Sequence, residues 1–341
     1  MAQLIFATYQ PPPPLYFAGT EVNQRIFCKQ VVQFIPDLVC ISAYNTMKDL
    51  AYFVRELTIL GIKVSKLDTD TISYHFDNYQ CIFTTSVKLT YYIDLFAESA
   101  TRIITQQAKA HHIINHCLQR NYLVCFWLHH TPTTFDNYNL IHADYVFVAS
   151  NFLKNKLFSY RQKQVEVFYP SFEDCDIDCQ HRKYITLVNP IADKGLEIVE
   201  KVASLFPEEQ FLLVGGWSDL DLPEHYASNI QFEKRTYHMA EIYAKTKVLL
   251  APSKLDEGFG RTIIEAGIYG IPSIVSHRGA LPEALGEGGI VVVNDEIENW
   301  KTALNDVLKN DTFFSNMSKL NADQYVSINA FNRLKEMGLY E

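Results

Sequence analysis

The chain has 341 residues, 48% of them hydrophobic and 20% charged, enough to bury a large core and, at roughly 100–200 residues per domain, to form two domains. Formal net charge is −9 and uneven: residues 1–170 carry +2 and residues 171–341 carry −11. A polyanion such as duplex nucleic acid would be repelled by the second half, no Lys/Arg run offers it a footing, and nucleic-acid binding is excluded as an expectation.

The opening "MAQLIFATYQPPPP" has no basic segment, only a six-residue apolar run and no small-residue cleavage site, so it does not read as a signal peptide. "LIFATY" (4–9) predicts a buried strand, followed by an extended segment stiffened by the prolines at 11–14. "DLVCISAY" (37–44), "YQCIFTT" (79–85), "YLVCFWLHH" (122–130) and "ADYVFVAS" (143–150) continue the strands. Between them, "MKDLAYFVRELTILG" predicts a helix stopped at Gly61, and a long helix is expected from about Glu98 to Arg120. Strands separated by helices imply parallel pairing with crossovers. "VEVFYPSF" (165–172), with the acidic "EDCDIDC" after it, reads as a linker.

The second half repeats the scheme. "YITLVNP" (184–190), "QFLLVGG" (210–216), "KVLLAPS" (247–253), "IPSIVS" (271–276) and "GIVVV" (289–293) predict strands. "KGLEIVEKVASLF", "MAEIYAKT", "GRTIIEAGIYG" and "WKTALNDVLKN" predict helices, and the tail "NADQYVSINAFNRLKEMGLYE" closes the chain with more helix. The expected fold is α/β, two doubly wound Rossmann-like domains facing each other across a cleft, where ligands sit at strand C-termini. The expected boundaries are 1–168 for the first domain, 169–325 for the second, and 326–341 for a helix packing back toward the first.

"EGFGRTIIE" (257–265) sets two glutamates around Gly-Phe-Gly at the mouth of a helix. Glycines let a backbone approach a ligand closely, and a helix start presents unpaired N–H groups suited to phosphate. The acids on either side suit hydroxyls. In the wider string "APSKLDEGFGRTIIEAGIYGIPSIVSHRGALPEAL" this pattern resembles the donor-nucleotide motif (Glu-x7-Glu) of the retaining glycosyltransferases of family four, which have the two-domain GT-B fold. The resemblance is strong over about 185–290 and looser before it.

That resemblance implies that Glu257 contacts donor-sugar hydroxyls and Glu265 the ribose hydroxyls. At ~1.5 Å rise per residue, Glu265 lies about 6 Å along the helix from Arg261, leaving one acid on the ribose and the other across the phosphates. The backbone amides of Gly258, Phe259, Gly260, Arg261 and Thr262 would face the diphosphate. "NPIADKG" (189–195) resembles the family's Gly-Arg-Leu…Lys-Gly segment: Lys194 matches the diphosphate-binding lysine, while Asn189 stands where the arginine is expected. Arg261, where the family usually has an apolar residue, is a candidate replacement for that charge, with a solvent-facing helix Arg as the alternative. Gly215, at the end of "LLVGG", fits the glycine near the nucleotide, and Tyr237 and His238 are positional candidates for the base pocket.

"FAGTE" (17–21) resembles the family's Gly-Gly-x-Glu loop, with Gly19 present and Ala18 in place of its partner. "FWLHHTP" (126–132) places His129 and His130 where the family commonly has a histidine beside the reactive sugar carbon. Neighbours on a strand point to opposite faces, so one of the two enters the site, His129 by preference.

Other patterns are weaker. "DTD" (68–70) invites comparison with the Asp-x-Asp metal motif of the other glycosyltransferase fold, and His111, His112 and His116 lie on one helical segment, but neither supplies enough ligands in view. Cys175 and Cys179 form the one close cysteine pair; the seven cysteines otherwise sit mostly in apolar runs, which points to a reduced, cytoplasmic protein. No G-x-G-x-x-G follows the first strand.

The expected activity is retaining transfer of a sugar from a UDP- or GDP-linked donor to an acceptor hydroxyl, as in a hexosyltransferase, with no metal or other cofactor. Lys194 and the helix start would stabilise the leaving diphosphate, and the donor's own phosphate would take the acceptor proton. A non-catalytic nucleotide-sugar binder on the same fold is the alternative, and a phosphorylase or epimerase a third reading. The acceptor is a glycan, glycolipid or small metabolite. The first half lacks the basic amphipathic helix of a firm membrane docker, so at most weak peripheral membrane contact is expected.

Overall fold

The computed structural model describes residues 3–11, 13–14, 18–44, 47–107, 109–132, 136–157, 165–174, 182–216, 227–236 and 238–340. Phe17, Cys175, Cys179 and Tyr237 lie outside the described residues, as does Pro12 of the proline run. The chain divides into two compact units. The first gathers Met1–Ala149, Lys154–Ser171 and Ile328–Glu341; the second gathers Ser150–Leu153 and Phe172–Ser327.

In chain order the first unit contains β1 (Leu4–Thr8), α1 (Gly19–Val31), β2 (Val39–Tyr44), α2 (Met47–Ile59), β3 (Val64–Asp68), β4 (Thr71–Phe76), β5 (Tyr79–Thr85), α3 (Leu89–Phe96), β6 (Arg102–Gln106), α4 (Ala110–Arg120), β7 (Leu123–Leu128), α5 (Asp136–His142) and β8 (Tyr145–Val148). Helix α6 (Asn151–Leu157) and β9 (Val165–Val167) follow. The nine strands form one sheet in the order β3-β4-β5-β2-β1-β6-β7-β8-β9. Every residue of β1 and β2 is buried, as expected of parallel strands covered on both faces.

Three expectations are corrected here. The segment from Glu98 to Arg120 is not one helix: "RIITQ" is strand β6, parallel to β1 and β7, and the helix begins only at Ala110. Gln107 and Lys109 take positive φ (66° and 65°), which breaks the periodicity, and β-branched Ile103, Ile104 and Thr105 fit a buried sheet. The sheet is not wholly parallel, because β4 runs antiparallel to both β3 and β5. Its turn into β5 is Asp77-Asn78, both with positive φ (47° and 70°), the residues a tight two-residue hairpin favours. The start of the supposed linker is β9, paired with β8.

The first core is aromatic. Phe27 of α1 meets Phe6, Trp127 and Phe168 edge-on, with centroids 5.4–5.8 Å apart.

The second unit contains β10 (Tyr184–Val188), α7 (Leu196–Leu205), β11 (Gln210–Val214), β12 (Ile230–Glu233), α8 (Met239–Ala244), β13 (Thr246–Ala251), α9 (Arg261–Ile268), β14 (Ser273–Ser276), α10 (Leu281–Leu285), β15 (Gly289–Val292), α11 (Ile297–Lys309) and α12 (Asp311–Val326). The six strands are all parallel, in the order β12-β11-β10-β13-β14-β15. Counted from its own first strand this is 3-2-1-4-5-6, the Rossmann order, whose switch point falls between β10 and β13. Ligands of open α/β sheets bind beyond strand C-termini at that point. The last helix, α13 (Ala330–Glu336), completes the first unit: Leu334, Met337 and Leu339 join its core and Arg333 donates to Val167 O.

Among the described residues no helix is long and apolar enough to cross a membrane. Cys28, Cys40, Cys81, Cys117 and Cys125 are free and buried.

Candidate functional site

The segments leaving β10 and β13 at the switch point are tied together. Lys254 N–H donates to Asp193 O at 2.8 Å, and Ser253 Oγ reaches the same carbonyl at 3.4 Å. Gly195 sits between them with φ +82°, and a Cβ there would collide with the backbone of Pro252. Only glycine satisfies both demands. The tie places Lys194 Nζ in an ion pair with Glu257 Oε1, both side chains partly exposed. On its other side Glu257 forms a parallel bridge with Gly279, and Ala280 N–H donates to Glu257 O at 2.9 Å. A side chain on Gly279 would strike the Glu257 backbone. Glu257 is thus clamped from both sides, its carboxylate beside the lysine.

Helix α9 starts just beyond. Gly260 caps it with φ +106°, where a Cβ would come within 2.9 Å of Leu281 Cδ2. Gly258 O accepts from Ser150 Oγ at 2.7 Å, and Phe259 is buried against Tyr325, fixing the glycine stretch. Ile263 N–H donates to Gly260 O at 3.0 Å, and Arg261 and Thr262 precede it at the start of the helix, where N–H groups fall outside the intrahelical ladder.

Glu265, on the second turn, accepts from Arg261 Nε at 3.2 Å and from Tyr243 Oη at 2.8 Å. The Arg261 guanidinium also lies 4.5 Å from the Phe172 ring centroid. The solvent-facing alternative for Arg261 is therefore corrected: its side chain is only 11% exposed.

Asn189 follows β10 with φ +60°, a conformation asparagine tolerates better than most residues. It is 6% exposed, and among the described residues neither Nδ2 nor Oδ1 has a hydrogen-bond partner. Its side chain rests on Gly216, where any Cβ would collide with it. Gly215 N–H donates to Glu233 O at 2.8 Å, which binds the end of β11 to β12. His238 is exposed, its N–H donating to Thr236 Oγ1 at 3.0 Å. Lys194, Glu257, Gly258, Phe259, Gly260, Arg261, Thr262, Glu265, Asn189 and Gly215 all belong to the second unit.

Gly19, His129 and His130 belong to the first unit: Gly19 follows β1, which borders the switch point between β1 and β6, and the histidines follow β7, next to β6. Gly19 opens α1. The His129 ring packs on Trp127 and its Nε2 pairs with Gln106 Oε1 at 2.9 Å. His130 Nε2 pairs with buried Asp136 at 3.1 Å, so the two histidines are held by different elements. Sequence reading missed the polar cluster around them. Gln106 Nε2 donates to Gln24 Oε1 (3.1 Å) and Gln10 Oε1 (3.4 Å), and Glu21 lies nearby in α1 with burial pushing its carboxyl up to about 7. The signal available was the run of uncharged polar residues at strand ends.

The "DTD" carboxylates are spent on Lys88, which pairs with Asp70 and, at 3.1 Å, with Asp68; these bonds push the ammonium up to about 12. His116 pairs with Asp94 at 2.8 Å. Among the described residues no three His, Cys, Asp or Glu gather into a metal-holding group.

Two Rossmann-like units of this kind define the GT-B fold of glycosyltransferases. Residues 184–310 match the family described as glycosyl transferases group 1. In structure the chain is similar to Anabaena HepE in complex with UDP and glucose (14% identity, 99% of each chain covered, TM-score 0.75). It is also similar to sucrose-phosphate synthase from Thermosynechococcus elongatus (16% identity, 98% of this chain and 97% of that one, TM-score 0.70). The pneumococcal O-GlcNAc transferase GtfA in complex with UDP and GlcNAc gives 11% identity, 98% of each chain and TM-score 0.71. No curated protein matches the chain in sequence.

Proposed function

We propose that this protein is a retaining glycosyltransferase that moves a hexosyl group from a UDP-linked donor to an acceptor hydroxyl without a metal. The observation that carries the reading is the Lys194–Glu257 pair, held at the Rossmann switch point by Gly195 and Gly279, within the segment that matches the group 1 family. The choice of UDP is supported by structural neighbours crystallised with UDP and UDP-glucose.

In this mechanism Lys194 leaves or shares Glu257 to meet the diphosphate, and the N–H groups at the start of α9 meet its oxygens. Charge building on the leaving group is then met by the fixed N–H groups of the helix start and by the ammonium already brought to it. Glu257 holds donor-sugar hydroxyls, and Glu265 holds the ribose. A diphosphate oxygen accepts the acceptor's proton as the new bond forms on the face the leaving group departs, which keeps the anomeric configuration. Gly19, His129 and His130 enter the reading as acceptor-side residues, for a glycan, glycolipid or small metabolite.

Asn189 favours a second reading. A neutral amide stands where the related pattern has a fixed cation, so the pocket would bind nucleotide-sugar without turning it over. Calorimetric titration of UDP, GDP, ADP and TDP into wild-type protein and Glu265→Ala tests both. UDP binding that weakens in the variant, with UDP-glucose slowly hydrolysed, is the expected result. Binding without turnover across a panel of acceptors selects the binder, and binding of none of the four overturns both readings.

A further inference from the structure

The Glu265 carboxylate is held by two side chains that are more deeply buried than it is. Tyr243, on α8, is 2% exposed, and its O–H donates to Oε2 at 2.8 Å. Arg261, one helical turn before Glu265, donates from Nε to Oε1 at 3.2 Å. Each holder is itself fixed. The Tyr243 ring stacks on Tyr269 (5.8 Å between centroids, 26° between planes), and the Arg261 guanidinium lies over Phe172. Glu265 keeps 23% of its side chain exposed, so the carboxylate has a braced side and an open side.

The donor and acceptor count sets what the open side can do. An ionised carboxylate offers about four lone-pair directions. Tyr243 and Arg261 take one on each oxygen, leaving roughly one on each. Two acceptor directions on two adjacent oxygens match two vicinal hydroxyls. Burial pushes the Tyr243 phenol well above its ordinary range, so it remains a donor throughout the working pH range. Arg261 is directed at the carboxylate and the Phe172 ring, which explains a cation where the related pattern is apolar. On this account it does not replace the charge missing at Asn189.

We infer that Tyr243 and Arg261 are positioning residues that brace the Glu265 carboxylate so that its open side receives the ribose diol of the donor nucleotide. This rests on the nucleotide-sugar reading above.

The test compares UDP with 2′,3′-dideoxyuridine diphosphate by calorimetry, in wild-type protein, Tyr243→Phe and Arg261→Met. Wild type is expected to bind the dideoxy nucleotide more weakly than UDP. Tyr243→Phe is expected to weaken UDP by about tenfold, the scale of one hydrogen bond to a charged group, and to leave dideoxy binding within about twofold. Arg261→Met keeps the packing volume and is expected to behave alike, which preserves the test if the tyrosine variant does not fold. A general loosening of the pocket would weaken both nucleotides equally, and that result overturns the inference alone. Failure of folded wild-type protein to bind UDP overturns the nucleotide reading and this inference with it.

Discussion

Lys194 and Glu257, 63 residues apart in sequence, neutralise each other across the switch point of the second sheet. On the proposed reading a diphosphate would compete with Glu257 for the same ammonium. Glu257→Gln is therefore expected to leave UDP affinity unchanged or tighter, because Lys194 is released. Turnover of UDP-glucose should fall by about 10²–10³-fold, the scale of losing one preorganised electrostatic contact. Lys194→Ala should weaken UDP itself. Titration beside a donor-hydrolysis assay separates the two; parallel loss of affinity in both variants would contradict the division of roles.

Gly195 takes φ +82° with the backbone of Pro252 against the place a Cβ would occupy. Gly195→Ala must strain the turn and push Pro252 away, at a cost of about 2–4 kcal/mol. At roughly 2–4 °C per kcal/mol for a unit of this size, the second unit's thermal midpoint should drop by about 5–15 °C. Differential scanning calorimetry reads this directly, and an unchanged midpoint would refute the close-contact explanation.

Glu21 gives the first unit a pH dependence. It is 2% exposed, and its Oε2 accepts from Thr20 Oγ1 at 2.9 Å. Burial raises its carboxyl from 4.5 to about 7. A group whose proton is bound more tightly when folded favours the fold below its unfolded value. That contribution is lost as pH rises from about 4.5 through about 7. Glu21→Gln, which keeps the neutral shape, should be near wild type at pH 5 and more stable at pH 8, by up to about 3 kcal/mol. Urea denaturation at the two pH values is the check; equal curves at pH 8 would count against it.

The Gln106 amide fixes the His129 tautomer. Gln106 Nε2 faces Thr20 O at 3.5 Å, a backbone carbonyl that can only accept, as well as Gln24 Oε1 at 3.1 Å. Its Oε1 must then face His129, so His129 Nε2 carries the proton. Nitrogen-15 NMR of the imidazole should show the Nε2–H form in neutral wild-type protein, and Gln106→Leu should erase that preference. An Nδ1–H form in wild type would reverse the assignment.

What could be read from the sequence was local. "EGFGRTIIE" announces a glycine-capped helix because φ-permissive residues and apolar spacing fall within one turn of each other. The braces on Glu265 left no such trace: Tyr243 lies 22 residues earlier, on another helix. Asn189 was visible as a departure from a pattern, but its contact with Gly216, 27 residues on in another strand's end, was not. Strand β6 was misread because "TRIITQQAKAHHIINHC" spaces apolar residues at helical intervals across the turn that ends the strand. The antiparallel β4 has its sequence signal in Asp77-Asn78, a two-residue turn that is local and independent of the helix-linked strand pattern.

The chain enters and leaves each unit more than once, and Ala330, Leu334, Met337 and Leu339 from its last segment complete the core around Phe27. During synthesis the core of the first unit therefore lacks part of its lining until residues 328–341 have been made. The intervening second unit, already contiguous from 172 to 327, can settle before them. Loss of the chain beyond residue 327 would therefore uncover apolar surface on the first unit and leave the residues of the second in place.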